Sequence, residues 1–259
     1  MHIKNVVSGI LFLLISTALW ADPPLRMAIF RLEPFLTEAG ESKNPGGITV
    51  EYWRQYIAPR MGVDIEVVGP YPIRRVEEML EHGLVDVASQ FTRIPDREHR
   101  FIFSETPLTE IDTGIVVLRE SPLTSVESAE DLFGMQMVFI EGAYIPPMLL
   151  HEQIDIHLVH NEDFRRLQLN MLLAGRVDAM LDINLVSLRQ YIQKNGYADR
   201  IRIIPLPSPS VEVYSMFRDT PRGRELQQRF DAANQIGREE GIFRRLTSEY
   251  LQRMEDGTQ

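Results

Sequence analysis

The chain writes one unit twice. LEHGLVDVAS (residues 80–89) returns in outline as LLAGRVDAML (172–181), with Gly83 and Gly175 separated by 92 residues. Each copy reads as a helix end, a glycine, one variable residue, Val-Asp, and a small or apolar run. Stacked repeats have periods of about 20–50 residues, so this spacing is too long for a solenoid. A glycine here lets a helix stop in a left-handed turn before a buried strand, where a side chain would be penalised. Two similar α/β lobes, rather than one continuous sheet, place such a unit twice at one lobe's spacing.

The flanking elements follow the same order in both halves. LRMAIF (25–30) reads as a strand, and RLEPFLTEAGESKNPGG (31–47) as a polar loop punctuated by Pro and Gly. In ITVEYWRQYIAPRM (48–61), Val50, Trp53, Ile57 and Met61 take the spacing of a one-faced helix that Gly62 ends. DIEVVG is the next strand, 73–81 the next helix, and VDVAS the strand after it. Such a strand-helix alternation builds a parallel sheet with right-handed crossovers. The second half offers SAEDLFG as a helical turn, MQMVFI (135–140) as a strand, and YIPPMLLHEQ as a helix opening with Pro146 and Pro147 in its first turn. DIHLVH is a strand, NEDFRRLQLNMLLAG a helix with Asn161 as N-cap, VDAMLDI a strand, INLVSLRQYIQKNG a helix and IRIIPL a strand. Two extended stretches, TGIVVLRE (113–120) and PLPSPSVEVYSMF (205–217), are expected to run between the lobes. The helical patterns 222–240 and 241–254 are expected to return to the first lobe. The resulting division is 22–112 for the first part of lobe one, 113–209 for lobe two, and 210–259 for the return. Two crossings make a hinge that allows opening and closing around a ligand.

MHIKNVVSGILFLLISTALWA, residues 1–21, reads as a secretory signal peptide, with cleavage after Ala18 or Ala21. No later stretch is long and apolar enough to span a bilayer, so a soluble exported protein, working in the periplasm without membrane insertion, is expected. The remaining length suits two lobes of roughly 100 residues. Cysteine is absent, which excludes disulfides and thiolate-bound metal. The formal charge of −10 argues against nucleic acid or an anionic membrane as partner.

Open α/β sheets bind ligands beyond the carboxyl ends of their strands, so the loops leaving those ends hold the candidates. Arg97 leads them, because a guanidinium can grip a carboxylate through two parallel hydrogen bonds. A surface arginine in a charged loop is the alternative, since Asp96, Glu98 and Arg100 crowd it. Arg74 and Arg75 are similar, or begin a solvated helix face. Thr92 offers a hydroxyl near Arg97. Phe35 and Tyr71 follow prolines and either stack on an apolar ligand part or pack in the core. In the second lobe, Gly142, Ala143 and Tyr144 supply backbone N–H groups, and Asn161 lies in a further loop. Asp182 either answers a ligand ammonium or caps the helix that starts at Asn184. No nucleophile elbow, zinc helix or phosphate loop is present in the sequence. Its histidines are scattered, so no catalytic residue, metal ligand or cofactor is assigned.

These segments resemble the extracellular solute-binding proteins of family 3, the receptors of amino acid ABC importers. The resemblance rests on LRMAIFRLEPF, FTRIPDREHRFIFS, SVESAEDLFGMQMVFIEGAY, LLAGRVDAML and GIFRRLTSEYL, which follow the family's order across the chain beyond the leader. It implies a type II periplasmic-binding-protein fold: two lobes, each with a mixed, mostly parallel sheet, joined by two crossover strands. It also implies a small ligand, a membrane permease as partner, and a monomer that binds rather than catalyses. Arg97 would receive the ligand carboxylate, with Thr92 nearby and Phe35 or Tyr71 against its side chain. The family's ammonium-binding Asp falls at Ile183, one place after Asp182, and its small hydroxyl residue at Ala143. PYPIRR resembles a variant loop of divergent members, which points to a carboxylate-bearing metabolite beside an α-amino acid. Alternatives on the same fold are a dehydratase using Glu33 or Glu141, and a sensory module acting with a membrane receptor.

Overall fold

The computed structural model describes residues 23–38, 44–161 and 163–255. The expected signal peptide, residues 1–21, lies outside them. Eleven strands form two mixed sheets among the described residues. In the first, β1 (Leu25–Ala28) pairs in parallel with β2 (Ile65–Val68) and β3 (Val87–Phe91). The long strand β11 (Val211–Arg218) runs antiparallel to β3, to β4 (Phe101–Phe103) and to β5 (Thr109–Ile111). In the second, β7 (Gln136–Ile140) pairs in parallel with β8 (Asp155–Val159) and β9 (Ala179–Asp182). There β6 (Gly114–Leu118) runs antiparallel to β9 and to β10 (Ile201–Pro205). Each sheet is therefore three parallel strands extended by antiparallel ones.

The repeated sequence unit is one physical device used twice. Gly83 (φ 72°) and Gly175 (φ 64°) both take the left-handed conformation that ends a helix. Three residues later, Asp86 accepts a hydrogen bond from the Arg26 N–H at 2.8 Å, and Asp178 accepts one from the Gln136 N–H at 2.8 Å. The backbone N–H of each Asp returns a bond to the carbonyl of the same residue, at 2.8 and 2.7 Å. The aspartate thus ties the incoming strand, β3 or β9, to the start of its parallel neighbour, β1 or β7. The carboxylate spares an N–H at the neighbour's start from being left unpaired.

Helices cover both faces of the sheets, which is why the inner strands read as continuous apolar runs. In β6, Ile115 and Val117 join the cluster that unites the first lobe with the inner face of the second sheet, through Trp53, Val87, Phe139 and Leu181. Val116 points the other way, with Val138 and Met180, onto Leu169, Leu172 and Leu188. Those leucines belong to α5 (Phe164–Leu173) and α6 (Leu185–Lys194). In the first lobe, α1 (Ile48–Tyr52), a π-helical turn (Trp53–Ile57) and α2 (Ala58–Met61) form one continuous helix ending at Gly62. Trp53 Nε1 donates to Ser89 Oγ of β3 at 2.9 Å, which pins this helix behind the sheet. The helix α3 (Ile73–Glu81) packs on the same lobe, as do α7 (Pro221–Glu239) and α8 (Ile242–Glu255) after β11. The chain thus returns to the first lobe at its end.

Three local expectations are corrected. YIPPMLLHEQ forms only a short 3-10 turn, Pro147–Leu149, which ends where Leu150 leaves the helical conformation at φ −85° and ψ 56°. The N-cap of α5 is Asp163, and Asn161 instead accepts a 2.7 Å bond from the Asp163 N–H. The segments 113–120 and 205–217 are largely strands within the sheets. The true crossings are shorter, at Asp112–Thr113 and 206–210, where Thr113 Oγ1 meets Ser208 Oγ at 2.9 Å and Ser210 Oγ donates to Asp112 Oδ1 at 2.7 Å. FIF (101–103) adds β4, paired to the far side of β11.

Candidate functional site

Arg97 sits on α4 (Pro95–Glu98), a single turn that Pro95 opens with a preset φ. Its guanidinium is held by residues of both lobes. Nε donates to Glu77 Oε1 at 2.9 Å, and Nη1 donates to Thr92 O and Oγ1 at 3.3 and 3.1 Å. Nη2 reaches across to the second lobe and donates to the Gly142 carbonyl. The Phe91 ring lies beneath, 4.9 Å from the guanidinium carbon. Arg97 is 2 % exposed, and this burial lowers its pKa, opposed by Glu77. It stays cationic all the same. Glu77 is buried on α3 and also receives Arg100 Nη1 at 2.9 Å, while Glu81 receives Arg100 Nη2 at 2.8 Å.

The second lobe presents a matching buried pair. Asp182, at the carboxyl end of β9, accepts from Arg165 Nε at 2.8 Å and Nη2 at 3.2 Å in a two-pronged ion pair. Its Oδ1 also accepts from the Asn184 N–H at 2.8 Å, which turns the chain into α6. Asn184 caps that helix by accepting from the Ser187 N–H at 2.9 Å. Arg165 Nη1 donates to Ser187 Oγ at 2.5 Å. Asp182 does not cap α6, whose N-cap is Asn184, and the cation that it answers here belongs to the chain rather than to a ligand.

Between the two arginines lies a small cavity of about 40 Å³. Phe30, Phe91, Ile111 and Val213 wall it from the first lobe, and Phe139, Phe164 and Ile183 from the second. Thr92, Arg97, Tyr144 and Asp182 border it, as do Gln90, Arg165 and Asn184. Burial raises the Tyr144 pKa, so its hydroxyl remains a protonated donor at neutral pH. Gly142 takes part through its carbonyl. At φ 83° it lies against α3, where an added Cβ would come 3.2 Å from Ile73 Cγ2.

Other sequence candidates are placed elsewhere. Phe35 is buried in the first lobe, stacked on Phe243 with centroids 6.3 Å apart. Tyr71 packs half-buried against the core. Arg75 is exposed beside Glu78 at 3.3 Å, and Asn161 is exposed. Arg74 is exposed too, but it crosses to Glu141 of the second lobe at 2.8 Å. Sequence reasoning missed Glu77, Gln90, Arg165 and Asn184. A polar Gln in the middle of the buried VASQF run was a usable sign. The Arg165–Asp182 pairing had no local sign at all.

The comparisons with known proteins agree with this architecture. A family model described as bacterial extracellular solute-binding proteins, family 3, matches residues 25–253. A search of curated proteins found no match. Similar solved structures include an ancestral arginine-binding protein bound to arginine, at 22 % identity and a TM-score of 0.71, covering 88 % of this chain and 97 % of that one. A Streptococcus pneumoniae amino acid ABC transporter substrate-binding protein, AbpA, bound to L-arginine, is 20 % identical with a TM-score of 0.72, covering 88 % and 94 %. The Bordetella pertussis BvgS VFT2 domain is 22 % identical with a TM-score of 0.71, again covering 88 % and 94 %. These likenesses show a type II periplasmic-binding-protein fold. With the family model matched over nearly all the described residues, the chain belongs to the bacterial extracellular solute-binding proteins, family 3.

Proposed function

We propose that this chain is exported by its leader to the periplasm and captures a small carboxylate-bearing, amino-acid-like molecule between its lobes. As a monomer, it then presents the closed complex to the permease of an ABC importer. Arg97 is the observation that supports this reading most. It is a buried cation at a cavity wall, pre-oriented by Glu77 and Thr92, whose Nη2 already bridges to the second lobe. A carboxylate placed there gains charge-assisted hydrogen bonds in a water-poor site. Contacts to both lobes make binding favour the closed form, which is what couples ligand to closure. The reading is one of binding rather than catalysis, because Glu33 and Glu141 do not border the cavity. Glu33 instead pairs with Lys194 at 3.2 Å, and Glu141 with Arg74.

Denaturing the purified protein and identifying released small molecules by mass spectrometry tests the proposal. A carboxylic acid that rebinds one-to-one in calorimetry, and is lost in Arg97→Lys, is the expected result. Turnover of that molecule to a product would replace it with the enzyme reading.

A further inference from the structure

Two residues that border the cavity each carry a buried polar atom with no hydrogen-bond partner among the described residues: Gln90 Oε1 of the first lobe and Asn184 Nδ2 of the second. The residues are 5 % and 1 % exposed. Asn184 Oδ1 is committed to the Ser187 N–H, so Nδ2 is left as a fixed donor. Gln90 Nε2 donates to Thr49 Oγ1 at 2.8 Å, which leaves Oε1 as an acceptor. Orphaned buried groups of this kind destabilise a fold unless something from outside the chain meets them.

The backbone at Gln90 makes the same point independently. Its φ of 69° is the one positive value at a non-glycine position among the described residues. Tyr214 of β11 faces Phe91 and Ser215 faces Ser89, so Gln90 is the extra residue of a β-bulge, where glycine is the unstrained choice. A long side chain is thus kept in a strained conformation at a cavity wall, a pattern that belongs to ligand sites.

The charges narrow the chemistry further. Asp182 is the only carboxylate among the described residues bordering the cavity, and Arg165 and the Asn184 N–H occupy it with three hydrogen bonds. A ligand ammonium would meet an already neutralised acid, a nearby guanidinium, and the Asn184 donor. A hydroxyl, by contrast, carries both the donor that Gln90 Oε1 lacks and the acceptor that Asn184 Nδ2 lacks. The remaining walls are mostly aromatic and aliphatic.

We infer that the ligand is a 2-hydroxy carboxylic acid with an aromatic or branched apolar body, rather than an α-amino acid, and that the lobes part to admit it, since the cavity as closed here has room for only a few waters. This rests on the proposal that the cavity is the ligand site, with the carboxylate on Arg97. The hydroxyl takes the place of the amino group, between Gln90 and Asn184.

Calorimetry on the intact protein with two matched sets tests the inference: 3-phenyllactate, phenylpyruvate and L-phenylalanine, then 2-hydroxyisocaproate, 2-oxoisocaproate and L-leucine. In at least one set the hydroxy acid binds tightest, at least roughly tenfold tighter than the amino acid, because the amino acid leaves site groups mismatched. An amino acid that binds as tightly or more tightly overturns the inference. If that binding is lost in Arg97→Lys, the proposed function still stands. Failure of all six compounds also overturns the inference, and the proposed function is then judged by whether the molecule released from the protein depends on Arg97. Asn184→Asp retains the helix cap but replaces the donor with a carboxylate, so it shifts preference towards the amino acid. Unchanged selectivity in that variant also overturns the inference. Gln90→Gly relieves the strained backbone, so it keeps the fold while weakening the hydroxy acid, whereas a purely structural glutamine would leave affinity unmoved.

Discussion

The buried pair Arg165–Asp182 holds the second-lobe wall of the cavity, and its energetics are asymmetric. Removing one partner strands the other charge in a place that water does not reach. Asp182→Ala is therefore expected to cost about 3–5 kcal/mol of stability in urea titration. A loss below about 1 kcal/mol would show that the pair is not what orders this wall. The residues that were readable in the sequence were those whose chemistry is local. Arg97 stood out because a strand, a threonine and a proline-opened turn lie within six residues of it. Arg165 looked like one more charge on an amphipathic helix, because its partner is 17 residues away and only the folded β9–α5 geometry brings them together. Glu77 was hidden for the same reason, 20 residues from Arg97. Phe35 was open between ligand stacking and core packing, and the return of α8 to the first lobe supplied Phe243 as its core partner.

Elements were legible wherever a stop or a cap is written next to a periodic run. The helix 73–81 and its Gly83 stop came out as read, since the apolar spacing and the left-handed residue are adjacent. The doubled glycine unit offers a comparison within one molecule. At Gly175 an added Cβ meets nothing within 4 Å, so Gly175→Ala is expected to cost about 1 kcal/mol from backbone strain alone. At Gly83 the same Cβ would lie 2.2 Å from Arg218 Nη1. Arg218 is exposed and its guanidinium can swing aside, so Gly83→Ala is expected to cost about the same, and clearly unequal losses in urea titration would contradict this account. The 3-10 turn Ala129–Leu132 carries a capping box, in which Asp131 accepts from the Glu127 and Ser128 N–H groups at 2.7 and 3.1 Å. These bonds lower the Asp131 pKa from its ordinary 3.8. An acid with a depressed folded pKa adds stability above its unfolded pKa, and that stability is lost as pH falls through the folded value. Asp131→Asn is accordingly expected to flatten the fall of melting temperature with acidification below about pH 4. A variant curve parallel to the wild type would refute this. The strands β6 and β11 were misread as connectors because an extended apolar run looks the same in a linker and in a sheet.

Taken whole, the molecule is two sheets meeting over one small cavity, with contacts of unequal strength across the seam. Arg74–Glu141 and Lys194–Glu33 are partly exposed ion pairs, each contributing about 0–1 kcal/mol. Arg97–Gly142 and Ser187–Glu33 are hydrogen bonds from side chain to backbone carbonyl. Removing Arg74 and Lys194 together is expected to weaken ligand affinity by no more than about thirtyfold, if the ligand itself supplies most of the closing energy. A far larger loss by calorimetry would mean that the ion pairs, rather than the ligand, decide closure. The most direct test of the central claim is a thermal-shift screen of small carboxylic acids against the wild-type protein and Arg97→Lys in parallel. At least one acid should raise the wild-type melting temperature by several degrees and leave the variant unmoved. Equal shifts in both proteins, or no shift in either across the panel, would contradict the assignment of Arg97 as the ligand's anchor.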